Sequence, residues 1–197
     1  GLYQERNSMY SSFFKLFLTF IFSITLVGIF TIFYEYKNNP QFNNVNFTTH
    51  SSFYWPLLNN HNITSYFGKR TSPTSGASSY HSGLDIAAPE GTPIYNCITG
   101  KVIFTGFKGA GGYTLTIENN NYQISYCHIS PNFLFKVGDF VNKQNIIAKV
   151  GPKNVYNVIN NPYKDSKGNP TNGATTGCHL HLTIKKDGQA VNPLDFF

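Results

Sequence analysis

The pattern of apolar and polar positions divides the chain into two textures. From Leu16 to Tyr34 it reads LFLTFIFSITLVGIFTIFY, nineteen residues without a charge, bracketed by Lys15 and Glu35. A helix needs about 20 apolar residues to cross the hydrocarbon core of a bilayer. A helix packed on a protein core would carry a polar face, and this run has none. Residues 16–34 are therefore expected to form one transmembrane helix after a short N-terminal segment, 1–15. The following EYKNNPQF offers no small-residue cleavage site, so an uncleaved anchor is expected rather than a signal peptide. Arg6 and Lys15 precede the run and only Lys37 follows closely, which favours a cytoplasmic N-terminus with the rest of the chain outside.

Residues 35–52, rich in Asn, Thr and Ser, read as a linker. From Phe53 to Phe197 the texture changes to short apolar runs between Asn and Gly clusters: ITGKVIFTGF, GGYTLTIENNNYQISYCHI, VGDFVNKQNIIAKVG and HLHLTIKKDGQAV. Runs this short, rich in Ile, Val, Tyr, Phe and Thr, predict strands and hairpins, and so a mainly β, antiparallel domain over 53–197. The turns are expected at Asn119–Asn121 and at Asp187-Gly188. No helix is expected after residue 35. Residues 154–173, NVYNVINNPYKDSKGNPTNG, read as a long polar surface loop, and a loop of this length in a compact domain is often functional.

Composition adds little to this division. The chain is 41% hydrophobic and 12% charged, which excludes a disordered chain. Its net charge of +6 suits a polyanionic partner: nucleic acid, a membrane surface or an anionic cell-wall polymer. The lysines are scattered, and no nucleic-acid-binding motif accompanies them, so nucleic acid is not expected as a partner. Three cysteines, Cys97, Cys127 and Cys178, are too few for a disulfide scaffold and include no CxxC pair.

The histidines carry the chemistry. In TTGCHLHL, His179 and His181 stand two apart, so a strand projects both to one face while Leu180 and Leu182 enter the core. In YHSGLDIAAPEGTPIY, His81 and Asp85 flank Gly83 in loop and strand, and both residue types ligate zinc. In ISYCHIS, alternation puts Tyr126 and His128 on one face and Cys127 on the other. His50 and His61 fall in or near the linker and are read as solvated. His81, Asp85 and one histidine of the pair would make three protein ligands, the open arrangement of a hydrolytic zinc site. The other histidine of the pair and His128 remain for proton and charge handling. No HExxH helix is present.

In order and context these segments resemble the M23 family of zinc metallopeptidases, the lysostaphin/LytM-type peptidoglycan endopeptidases. The resemblance runs from about Trp55 to Phe197. ITSYFGKRTSP, HSGLDIAAPEGTPI, ISYCHIS, TTGCHLHL and VNPLDFF each resemble a segment of that family. It implies a compact antiparallel β fold with a zinc groove across one sheet. It also implies Zn²⁺ on His81, Asp85 and His181, catalytic roles for His179 and His128, and peptidoglycan as substrate. His179 would be the general base, and His128 would stabilise the oxyanion, with Tyr126 beside it. Two departures stand out. The loop between Gly151 and Gly177 is longer than expected for the family, and Cys127 and Cys178 precede His128 and His179. Strand alternation turns both thiols away from the site, where they would lie near each other on the core side. The rival reading is a non-catalytic LytM-like scaffold or activator of another wall hydrolase. The presence of all five site residues weighs against it. With the anchor, these expectations describe a single-pass cell-membrane protein with an extracytoplasmic catalytic domain.

Overall fold

The computed structural model describes residues 15–31, 53–71 and 78–197. The chain divides into two compact units, Gly1–His50 and Ser51–Phe197. In the first, residues 15–31 form an α-helix with exposed apolar side chains. Among the described residues no helix is long and apolar enough to cross a membrane. The end of the expected span (32–34), the expected linker (35–52) and residues 1–14 lie outside the described residues.

The second unit is built from short strands. In chain order these are β1 (Ile63–Ser65), β2 (Gly68–Lys69), β3 (Tyr80–His81), β4 (Leu84–Ala87), β5 (Pro93–Tyr95) and β6 (Gly100–Phe107). They are followed by β7 (Tyr113–Asn119), β8 (Tyr122–Cys127), β9 (Phe140–Val141), β10 (Ile146–Lys149), β11 (His179–Lys186) and β12 (Gln189–Val191). The main sheet runs β1-β4-β11-β8-β7-β6-β9, with β12 paired to β11. The strands β10 and β5, and β2 and β3, form two small ribbons beside it. Each of these pairings is antiparallel.

Both expected hairpins are present. Asn119 pairs with Tyr122 around a two-residue turn in which Asn120 has φ 50°. Lys186 pairs with Gln189 around Asp187 and Gly188, at φ 50° and 79°. Asn, Asp and Gly tolerate this left-handed backbone, which matches the twist of the flanking strands. Apolar alternation on the central strands makes the core. Leu84 and Ile86, Leu180, Leu182 and Ile184, Ile124 and Tyr126, and Leu115 and Ile117 are all fully buried. The opposite face of β11 carries His179, His181 and Thr183 into a cleft.

The structure corrects the sequence reading at β8. Tyr126, not Cys127, points into the core. Its hydroxyl donates to Asn96 Oδ1 (3.0 Å) and accepts from the Cys97 main-chain N–H (2.7 Å). Cys127 lies directly opposite His181 and lines the cleft with it. His128 reaches the same side because the strand ends at Cys127 and His128 adopts φ 57°, which breaks the alternation. Cys178 packs against the core from the other face of β11, so the two thiols are not neighbours, and all three cysteines are free.

The segment 154–173 is an ordered excursion rather than a loose loop. It carries bridges between Asn154 and Thr171 and between Lys164 and Pro170, and it buries Val155, Asn161, Thr171 and Asn172. The Asp165 carboxylate ties it down, accepting from the main-chain N–H groups of Lys167 and Asn169 (both 3.0 Å) and pairing with Lys153 (3.3 Å).

If Tyr126 is a core residue, Tyr126→Phe strands a buried N–H and a buried amide oxygen. The expected cost is about 1–3 kcal/mol of unfolding free energy in urea denaturation, with the specific activity of the folded protein unchanged. Lost activity at unchanged stability would return Tyr126 to the site.

Candidate metal centre and active site

The register of three adjacent strands assembles the site. His181 on β11 lies directly across from Asp85 on β4, and across from Cys127 on β8. Residues opposed in an antiparallel pair share a face, so the imidazole and the carboxylate meet. His81 arrives from β3, four residues before Asp85. The turn between them passes beneath the His181 ring, and Gly83 makes room for it. A Cβ at Gly83 would lie 2.5 Å from Leu182 O and 2.8 Å from His181 Cε1.

Three donor atoms converge. His181 Nδ1 is 2.7 Å from Asp85 Oδ1 and 2.9 Å from His81 Nε2, and His81 Nε2 is 3.1 Å from the same carboxylate oxygen. Partners outside the cluster fix their chemistry. His81 Nδ1 lies 2.8 Å from the Tyr66 carbonyl. A carbonyl only accepts, so Nδ1 carries the proton, and Nε2 of the neutral ring presents a lone pair to the cluster. Arg70 Nη1 holds Asp85 Oδ2 at 3.2 Å and also donates to Ser65 Oγ. His181 Nε2 lies 3.0 Å from the Thr183 hydroxyl. Burial alone would raise the pKa of Asp85, but its close contacts with His179, His181 and His81 outweigh it and hold the carboxyl well below the usual carboxylate range. Burial keeps His181 neutral by lowering its pKa. Lone pairs and a fixed anion brought this close are what a cation neutralises. Two imidazole nitrogens and one carboxylate oxygen beside an open cleft are the donor set of a catalytic zinc site.

Two further histidines face the same space. His179 and His128 lie with ring centroids 4.6 Å apart, and His128 is 6.0 Å from His181. Each has its Nδ1 on a main-chain carbonyl: His179 on Gly177 O (2.9 Å) and His128 on Asn172 O (2.6 Å). In a neutral ring held this way Nε2 is the accepting nitrogen. His179 Nε2 stands 3.6 Å from Asp85 Oδ1. Burial and the neighbouring histidines push the pKa of His128 down to about 3, so the ring stays neutral. The cleft encloses about 610 Å³. Its lining includes the hydroxyls of Ser65, Thr114, Ser125 and Thr175, with Arg70, Lys108 and Lys185 as its cations. Cys127 is also there, but burial pushes its pKa up to about 11, so it is a neutral thiol rather than a thiolate ligand or nucleophile.

All five residues singled out in the sequence thus line one cleft. His61, read as solvated, is exposed and stacks on Trp55, whereas His50 lies outside the described residues. The sequence reading missed Arg70, Asn172 and Gly83 as supports. Only Gly83, set between two candidate ligands, carried a signal that could have found it.

The family profile of peptidase family M23 matches residues 79–193. The chain belongs to peptidase family M23. The match takes in His81, Asp85, His128, His179 and His181. Among curated M23 relatives, the peptidoglycan DD-endopeptidase ShyB of Vibrio cholerae is 33% identical over 124 residues, covering 62% of this chain and 24% of ShyB. The chain spans between 24% and 44% of the length of the curated relatives it matches. The crystal structure of a zinc-containing peptidase from Vibrio cholerae superposes with a TM-score of 0.56 at 29% identity, over 72% of this chain and 39% of that one. Lysostaphin from Staphylococcus simulans shares the fold, with a TM-score of 0.56 at 24% identity over 74% and 53% of the two chains.

Because Gly83 sits against His181 and the β11 backbone, Gly83→Ala is expected to push that ring out of the cluster. Zinc titration should show affinity reduced at least tenfold; equal affinity in the variant would refute this packing.

Proposed function

We propose that the chain is a zinc-dependent endopeptidase that hydrolyses peptide bonds in bacterial peptidoglycan. The observation that carries the reading is the convergence of His81 Nε2, Asp85 Oδ1 and His181 Nδ1 in a cleft that also holds His179 and His128. Family membership and the likeness to the peptidoglycan DD-endopeptidase ShyB support the substrate class. His81, Asp85 and His181 would hold the ion, which when bound supplies Lewis acidity and lowers the pKa of water to about 7.

The chain's own residues divide the remaining work. His179 Nε2 takes the proton of the attacking water as general base. Its Nδ1–H is committed to Gly177 O, and the nearby Asp85 carboxylate favours the imidazolium that forms. His128 stays neutral and offers only a lone pair at Nε2, so it accepts a hydrogen bond from the attacking water and orients it. A neutral His128 with its proton on Nδ1 has none at Nε2 to give an oxyanion, so the proposal assigns it this orienting role in place of the oxyanion role expected from the sequence. Arg70 holds Asp85 from behind.

The uncharged run 16–34 supports a further part of the proposal: a single-pass anchor in the cell membrane, with the peptidase domain on the extracytoplasmic side and within reach of the wall. The excess of lysine and arginine suits anionic wall polymers. Release of the chain from membranes by alkaline carbonate would count against the anchor.

His181→Ala is expected to lose both bound zinc and hydrolysis. His179→Ala should keep about one zinc per chain and lose hydrolysis by roughly 10²–10⁴-fold, the usual worth of a general base. Metal analysis beside a muropeptide-release assay separates the two, and a zinc-replete, fully active His179→Ala protein would refute the assignment.

A further inference from the structure

We propose that Asn172 is the positioning residue for His128, and that the ordered excursion ahead of it serves to deliver this one residue. The proposal rests on the reading of the cleft as an M23 peptidase site. The Asn172 carbonyl accepts from His128 Nδ1–H at 2.6 Å, which turns the ring and leaves Nε2 as its accepting nitrogen. Only an element that is itself immobile can hold a ring this way, and Asn172 is fully buried with every polar group used. Its Oδ1 accepts from the Tyr113 main-chain N–H at 2.8 Å, at the start of β7. Its Nδ2 donates to Ile129 O at 3.0 Å, one residue past His128. Its main-chain N–H donates to Lys153 O at 2.8 Å, at the head of the excursion.

Asn172 therefore ties three segments around the histidine it orients. His128 is held in turn, its N–H on Gly111 O (2.8 Å) and its carbonyl accepting from Gly151 N–H (2.9 Å). The packing leaves no slack. A Cβ at Gly112 would lie 2.4 Å from Asn172 Oδ1, and one at Gly151 would lie 2.7 Å from Asn172 Nδ2. The geometry also selects the residue type. Aspartate lacks the donor for Ile129, serine and threonine cannot bridge both contacts, and glutamine adds a methylene where nothing is exposed. Outside this knot, Asp165 accepts from Asn154 Nδ2 (3.4 Å) and pairs with Lys153, so the excursion closes on the residues beside Asn172.

The test reads the tautomer of His128 directly, from long-range ¹H–¹⁵N spectra of the full, zinc-loaded chain labelled at histidine, with signals assigned by comparison with His128→Asn. Wild type should show His128 protonated at Nδ1 and bare at Nε2. Asn172→Ala should show a mixture of tautomers. Its kcat on a cross-linked muropeptide should fall at least tenfold, with KM within about twofold and zinc content unchanged. Should Asn172→Ala fail to fold, Asn172→Asp, which keeps the acceptor for Tyr113 and loses only the donor to Ile129, is read the same way. An Nε2–H tautomer in wild type overturns the proposal. So does a folded variant that keeps both the Nδ1–H tautomer and the wild-type kcat. A wild-type chain inactive on every wall substrate would remove the proposed activity, while the tautomers in wild type and variant would still decide the role of Asn172.

Discussion

The register of β11 between β4 and β8 is the constraint on which the rest of the cleft depends. Leu180, Leu182 and Ile184 are fully buried on one face of that strand, and each contributes about 1.5–3 kcal/mol that a slipped strand would forfeit. A slip by one residue would move this set to the cleft and send His179 and His181 into the core. Core burial thus fixes where the histidines project. The same register sets Asp85 opposite His181 and Cys127 on its other side. The hydrophobic effect therefore positions the candidate metal-ligating groups before any metal binds.

Placement alone does not decide what an imidazole can do, because its two nitrogens have opposite roles in the neutral ring. Main-chain carbonyls make that choice here. Tyr66, Gly177 and Asn172 each accept the Nδ1 proton of one histidine, so the Nε2 atoms of His81, His179 and His128 are lone-pair donors. These contacts come from the backbone, so each is as firm as the segment that carries the carbonyl. They separate a nitrogen suited to a cation from two suited to a proton. Burial keeps His128 neutral.

Much of this was legible in the sequence, because it follows from period-two alternation. The HxH pair, its leucines, both hairpin turns and the antiparallel β class could be read directly. The family resemblance supplied the grouping of His81 and Asp85 with that strand, which spacing alone left weak. The reading failed at His128, where alternation stops. A left-handed residue at the end of β8 reverses the faces of Tyr126 and Cys127 relative to His128, and no pattern of apolar positions announces that a histidine takes φ 57°. The polarity of 154–173 suggested a solvated loop because the sequence does not tell a wet asparagine from one whose amide is spent on buried backbone. Asn172 and Asn161 are of the second kind, held by main-chain groups brought close only by the fold. Arg70 was hidden for the same reason, since its partner Asp85 is fifteen residues away on another strand.

The central claim, a metal-dependent cut in the peptide part of the wall, is tested most directly by incubating purified peptidoglycan with the full chain, with and without a zinc chelator, and reading the released fragments by mass spectrometry. The account predicts fragments carrying newly freed peptide ends that vanish with the chelator and return when Zn²⁺ is restored. Fragments that persist at full yield in the chelator, or a zinc-loaded chain that releases none, would contradict it.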